Sequence, residues 1–97
     1  MKIAYHRLAV RDVRQILDHY ESEAGTALAD RFFEELLATV EKALANPTHF
    51  PPVDGLVRRA NLADFPYHFL FFETLWGINV TVVRHPRRNP DFGRHRK

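Results

Sequence analysis

Two amphipathic stripes separated by a single glycine dominate the first half of the chain, and neither is stable without an apolar surface to cover. Ala9, Val13, Ile16, Leu17 and Tyr20 recur at helical spacing and leave Arg11, Arg14, Asp18 and Glu21 facing outward. Beyond Gly25 a stronger stripe runs through Leu28, Phe32, Phe33, Leu36, Leu37, Val40 and Leu44. Asn46-Pro47 ends it, because the proline ring disfavours a helical residue before it and removes a backbone donor. The pattern predicts two helices folded into an antiparallel hairpin.

The surface they cover is encoded elsewhere. Lys2 to His6 alternates as a short strand does, and three strand-like runs follow a turn at 46–55 that holds Pro47, Pro51, Pro52 and Gly55. Leu56 to Leu62 alternates weakly, and Gly77 to Val83 is rich in β-branched residues. Between them, Tyr67 to Phe72 is apolar on both faces, as a central strand is. The expected fold is α+β: an N-terminal strand, an antiparallel helix hairpin, then three strands of a small, mainly antiparallel sheet (β-α-α-β-β-β). A two- or four-residue connection around Leu75-Trp76 would place Tyr67, Phe69 and Phe71 on one face with Val80 and Val82. His68, Leu70, Asn79, Thr81 and His85 would then share the other face, uncovered by the helices.

Composition narrows the chemistry. At 97 residues, with 45% hydrophobic and 27% charged side chains, one globular domain over 1–97 is expected, ending in a basic tail at 86–97. No apolar run approaches the roughly 20 residues of a membrane span, and the N-terminus lacks a secretory pattern; a chain without cysteine fits a reducing cytoplasm, the expected location. Cysteine is absent, which excludes disulfides, thiolate metal sites and a Cys nucleophile. The sole serine, Ser22, falls inside a predicted helix. The four glycines are isolated, so no phosphate loop and no nucleotide cofactor are expected. His19 and Glu23 are i, i+4 neighbours without a third ligand in view, so no metal site is expected.

Charge is distributed unevenly. Residues 1–50 carry six basic and eight acidic side chains, residues 51–97 eight and four. Arginine outnumbers lysine 11 to 3, a choice that suits planar pairing with phosphates or carboxylates. Arg58 and Arg59 lie on the first late strand, and Arg84, Arg87, Arg88, Arg94, Arg96 and Lys97 crowd the end. Strands of one sheet are expected to gather these guanidinium groups at one rim, ready for an anionic or acidic partner. His68 and His85 have the right chemistry for proton transfer near neutral pH. Glu34, Glu35 and Glu41 read as the solvated face of the second helix, and the aromatic set from Phe65 to Phe72 as core.

Element order, length and three segments together resemble the RelE/ParE superfamily of bacterial type II toxins. The segments are Gly55-Leu56-Val57-Arg58-Arg59, Phe65 through Phe72, and Val82-Val83-Arg84-His85-Pro86-Arg87-Arg88-Asn89-Pro90; Ala9, Asp12, Ile16 and Tyr20 match the first-helix pattern. The resemblance implies a toxin that forms a hetero-oligomer with a cognate antitoxin, a segment folding over its uncovered apolar and cationic surface. It also implies one of two targets. ParE-like members inhibit DNA gyrase, and this is the expectation adopted; RelE-like members cut mRNA on the ribosome without a metal. For a ribonuclease, His85, Arg88 and His68 would be catalytic; Arg58, Arg59, Arg84, Arg87, Arg94 and Arg96 would bind target or nucleic acid. One departure matters: Phe92 stands near the position of the family's catalytic tyrosine and has no hydroxyl.

Overall fold

Helix hairpin and sheet form as the periodicities require. The computed structural model describes residues 1–96; Lys97, the last basic residue of the expected tail, lies outside the described residues. The elements are β1 (Lys2–Tyr5), α1 (Arg7–Ala24), α2 (Thr26–Ala45), a 3-10 turn (Pro47–His49), β2 (Pro52–Asp54), β3 (Val57–Asn61), β4 (His68–Thr74) and β5 (Gly77–Arg84). The sheet order is β1-β5-β4-β3-β2, with β1 parallel to β5 and the other pairs antiparallel. Strand β2 is an addition to the expected order: part of the proline-rich turn pairs along the β3 edge.

Local chemistry explains the boundaries. The His6 side chain accepts the Leu8 N–H and caps α1. Gly25, at φ +88°, reverses the chain between the helices in a backbone conformation that side chains resist. No helix among the described residues is long and apolar enough to cross a membrane.

One face of the sheet meets the helices. Phe32, Leu36 and Val40 of α2 pack with Ala9, Val13 and Ile16 of α1 against Phe69, Phe71, Ile78, Val80 and Val83. Tyr20, Phe32, Phe65 and Tyr67 form a ring cluster with edge-to-face contacts at 5.4–6.1 Å. Burying a phenylalanine side chain there contributes about 2–3 kcal/mol. Glu35, expected to be solvated, accepts the Asp64 N–H with both carboxylate oxygens and ties α2 to the β3–β4 connection. Phe33 and Leu37, expected to face the core, remain 40% exposed.

The β4–β5 register holds the main correction. Phe71 lies opposite Val80 as expected, but the register then slips, and Leu70 pairs with Val82, Phe69 with Val83 and His68 with Arg84. Thr81 is the extra residue of a β-bulge, which exchanges the faces of everything after it. Val83 therefore takes the place in the helix-side core expected for Val82. Val82 and Leu70 are buried on the far face, and His85 turns toward the helices to pack edge-on against Tyr67 at 5.6 Å.

Nor is the far face open. The C-terminal tail crosses it: Arg84 Nη1 donates to the Pro90 and Phe92 carbonyls, Arg96 to the Thr81 carbonyl, and Arg94 pairs with Asp54 at 3.3 Å. Gly93, at φ +78°, lies against Val82, where an added Cβ would come within 2.7 Å of Cγ2. Gly93→Ala is expected to cost about 2 kcal/mol from left-handed strain and overpacking together. Urea unfolding measures this; an unchanged midpoint would mean that the tail does not seat there.

Candidate functional site

The candidate residues meet at the end of the sheet where β3, β4 and β5 deliver Asn61, His68 and Arg84 side by side. His68 is 3% exposed. Its Nε2 accepts a hydrogen bond from Arg84 Nε at 3.0 Å. A guanidinium can only donate, so Nε2 must hold the lone pair and the imidazole proton must sit on Nδ1. That Nδ1 is buried without a partner among the described residues. Burial, then the charges of Arg59 and Arg84 and the neighbouring His85, lower the His68 pKa to about 4. It is therefore a neutral acceptor that orients Arg84, poorly placed to exchange protons with a substrate. Burial and Arg59 also lower the Arg84 pKa, but the guanidinium stays charged.

The arginines divide by role. Arg58 donates to the Phe50 carbonyl at 2.7 Å, Arg59 to Asn61 Oδ1 at 2.9 Å, and Arg94 contacts Asp54 and Asp91. Arg96 forms a buried ion pair with Asp12, whose Oδ2 also accepts the Val83 N–H at 3.1 Å. Arg58, Arg84, Arg94 and Arg96 thus hold the chain to itself. Arg87 and Arg88 remain exposed, and their guanidinium groups have no hydrogen-bonding partner among the described residues. The expected single rim is therefore two groups: Arg59 and Arg84 about His68, and Arg87 and Arg88 beyond His85.

His85 and Arg88 open onto a different surface. With Gln15, His19, Tyr67 and Phe92 they line a cleft of mixed polar and apolar character, about 180 Å³, between α1 and the tail. The Arg88 guanidinium lies 4.6 Å from the centre of the Phe92 ring, and that of Arg96 lies 4.9 Å away. His85 Nδ1 accepts the Arg87 N–H, which leaves Nε2 as its available nitrogen. Sequence reasoning passed over Asp12, Gln15 and His19 as members of this site. Asp12 carried a readable signal, since a carboxylate inside the apolar stripe of α1 requires a buried partner.

A second surface lies on the other flank of α1. Tyr5, Val10, Leu17, Phe33 and Leu37 line an apolar groove of about 330 Å³ between the two helices and β1. It is an apolar groove left open on the helix side, whereas the sheet face expected to be open is crossed by the tail.

Comparison with known proteins agrees with this architecture. Residues 3–90 match the family model of the ParE toxin of type II toxin-antitoxin systems, parDE. The fold is similar to a solved chain of the chromosomal ParDE toxin-antitoxin system from P. aeruginosa, with a TM-score of 0.77 and 20% identity, over 88% of this chain and 95% of that one. No curated protein matches the chain.

The buried imidazole makes stability depend on acid. His68 binds its proton near pH 4 when folded and near 6.5 when unfolded, so its contribution is complete above pH 6.5 and is lost as pH falls toward 4. The loss is on the order of 2–3 kcal/mol. His68→Gln, which keeps an acceptor for Arg84 but does not titrate, is expected to flatten this part of the pH–stability curve. An equally steep acid loss in the variant would contradict the assignment.

Proposed function

Because the chain belongs to the ParE toxin family of type II toxin-antitoxin systems, we propose that it arrests growth by binding DNA gyrase in the cytoplasm and is neutralised by a cognate antitoxin. The observation carrying the choice of binding over cleavage is Phe92. Cutting RNA through its own 2′-hydroxyl needs a group to take a proton and another to give one. Where the resemblance puts a hydroxyl, this chain has a hydrocarbon ring beneath Arg88 and Arg96. The imidazole nearest the arginine cluster, His68, is sealed from solvent. What the tail presents is cationic surface, suited to gripping an acidic counterpart.

A second reading has one observation in its favour. His19, His85 and Arg88 face the same cleft, a set compatible with a metal-independent ribosome-dependent endoribonuclease. Brief induction of the chain separates the two. The gyrase reading expects loss of supercoiling and an SOS response while protein synthesis continues. Prompt translation arrest, with messenger cuts inside codons that vanish in His85→Ala and Arg88→Ala, would overturn it in favour of the ribonuclease.

The apolar groove is the proposed seat of the antitoxin, whose amphipathic segment would cover Phe33 and Leu37. Both side chains are half-exposed in the folded chain, so Phe33→Asp with Leu37→Asp should leave the fold intact. This double variant is expected to escape neutralisation while still arresting growth, with antitoxin affinity at least tenfold weaker. Unchanged neutralisation would place the antitoxin elsewhere.

A further inference from the structure

Two hollows flank Phe92 beside α1, one of about 180 Å³ and one of about 350 Å³, and they share Asp12, Gln15, Arg88 and Phe92. Together they make one cleft between the helix and the tail. Its helical wall carries Arg11, Gln15 and His19, four residues apart and therefore aligned at steps of about 6 Å. The opposite wall carries His85 and Arg88. Among the described residues the cleft's one carboxylate is Asp12, which is already taken up by Arg96 and the Val83 N–H. Among the described residues neither Arg11 nor Arg88 pairs with a carboxylate. The Arg88 guanidinium lies over the Phe92 ring, and its N–H groups, without a hydrogen-bonding partner among the described residues, suit a bidentate acceptor.

We propose that this cleft receives an extended acidic peptide segment, its carboxylates pairing with Arg11 and Arg88 and its backbone meeting Gln15. Alternate side chains of an extended strand point the same way about 6.6 Å apart, close to the spacing of the helical row. The Gln15 amide both donates and accepts, as a peptide group does. Single-stranded nucleic acid suits the cleft less, since it binds by stacking bases on free rings. Here Phe92 is engaged by two guanidinium groups, and Tyr67 packs against Tyr20, Phe32 and His85. The proposal rests on reading the cleft as a binding surface, a reading that the supercoiling and message-cleavage measurements test independently.

Fluorescence anisotropy with the full chain tests it, using a labelled octapeptide of alternating Glu and Ala, its Gln-Ala counterpart and a labelled octauridylate. The Glu peptide should bind saturably, at least tenfold tighter than the Gln peptide. Arg11→Ala with Arg88→Ala should weaken it at least fivefold, and Gln15→Glu, which keeps both guanidinium groups, should weaken it as well. Arg31→Ala with Lys42→Ala, an equal charge change on α2 away from the cleft, should alter it less than twofold. Equal losses in the two double variants would reduce the binding to unspecific charge and overturn the proposal. So would octauridylate binding tighter than the Glu peptide through Arg11 and Arg88, which would assign the cleft to nucleic acid.

Discussion

One buried carboxylate organises the functional half of the molecule. Asp12 projects from the core-facing stripe of α1 and receives the Val83 N–H just past the β-bulge, together with the guanidinium of Arg96 near the end of the tail. Arg96 in turn donates to the carbonyl of Thr81, the bulged residue itself. Left alone, a carboxylate at this depth would cost several kcal/mol. Satisfied as it is, it fixes three things at once: the helix against β5, the register slip at Thr81, and the path of the tail across the sheet.

The consequences run outward from that junction. The slip at Thr81 sends Val82 to the far face, where Gly93 rests on it, and turns His85 to the helix side beside Tyr67. The returning tail then lays Phe92 alongside α1, with Arg88 and Arg96 over its ring. Helix α1 consequently separates two unlike surfaces. One flank is an apolar groove shared with α2 and β1, and the other is a cationic cleft shared with the tail. A toxin that must meet both an antitoxin and a target has use for two such surfaces on opposite sides of one helix.

Much of this architecture was legible in the residues and some was not, for physical reasons. The helices announced themselves through 3.6-residue stripes bounded by Gly25 and Asn46-Pro47, and Tyr67 to Phe72 announced a central strand. The bulge did not, because Val80, Val82 and Val83 are equally apolar and β-branched, so period-2 alternation cannot reveal a single inserted residue. The tail has no periodicity at all; it is held by side chains reaching backbone carbonyls and distant carboxylates. That is also why the arginines misled. Arg84, Arg94 and Arg96 look like a binding patch in composition but spend their donors inside the fold, whereas Arg87 and Arg88 do not. His85 and Arg88 were recognisable by type, but their neighbours Gln15 and His19 came into view only once the tail was laid beside α1.

A double-mutant cycle on Asp12→Asn and Arg96→Met tests the organising interaction most directly. Unfolding free energies of the parent, both single variants and the double variant yield the coupling between the two side chains. If the buried pair holds the tail to α1 and β5, the coupling should reach at least about 2 kcal/mol, with each single change costing more than the pair removed together. Losses that add to within about 0.5 kcal/mol would show the two residues to be independent, and the cleft would then lack the anchor on which its shape depends.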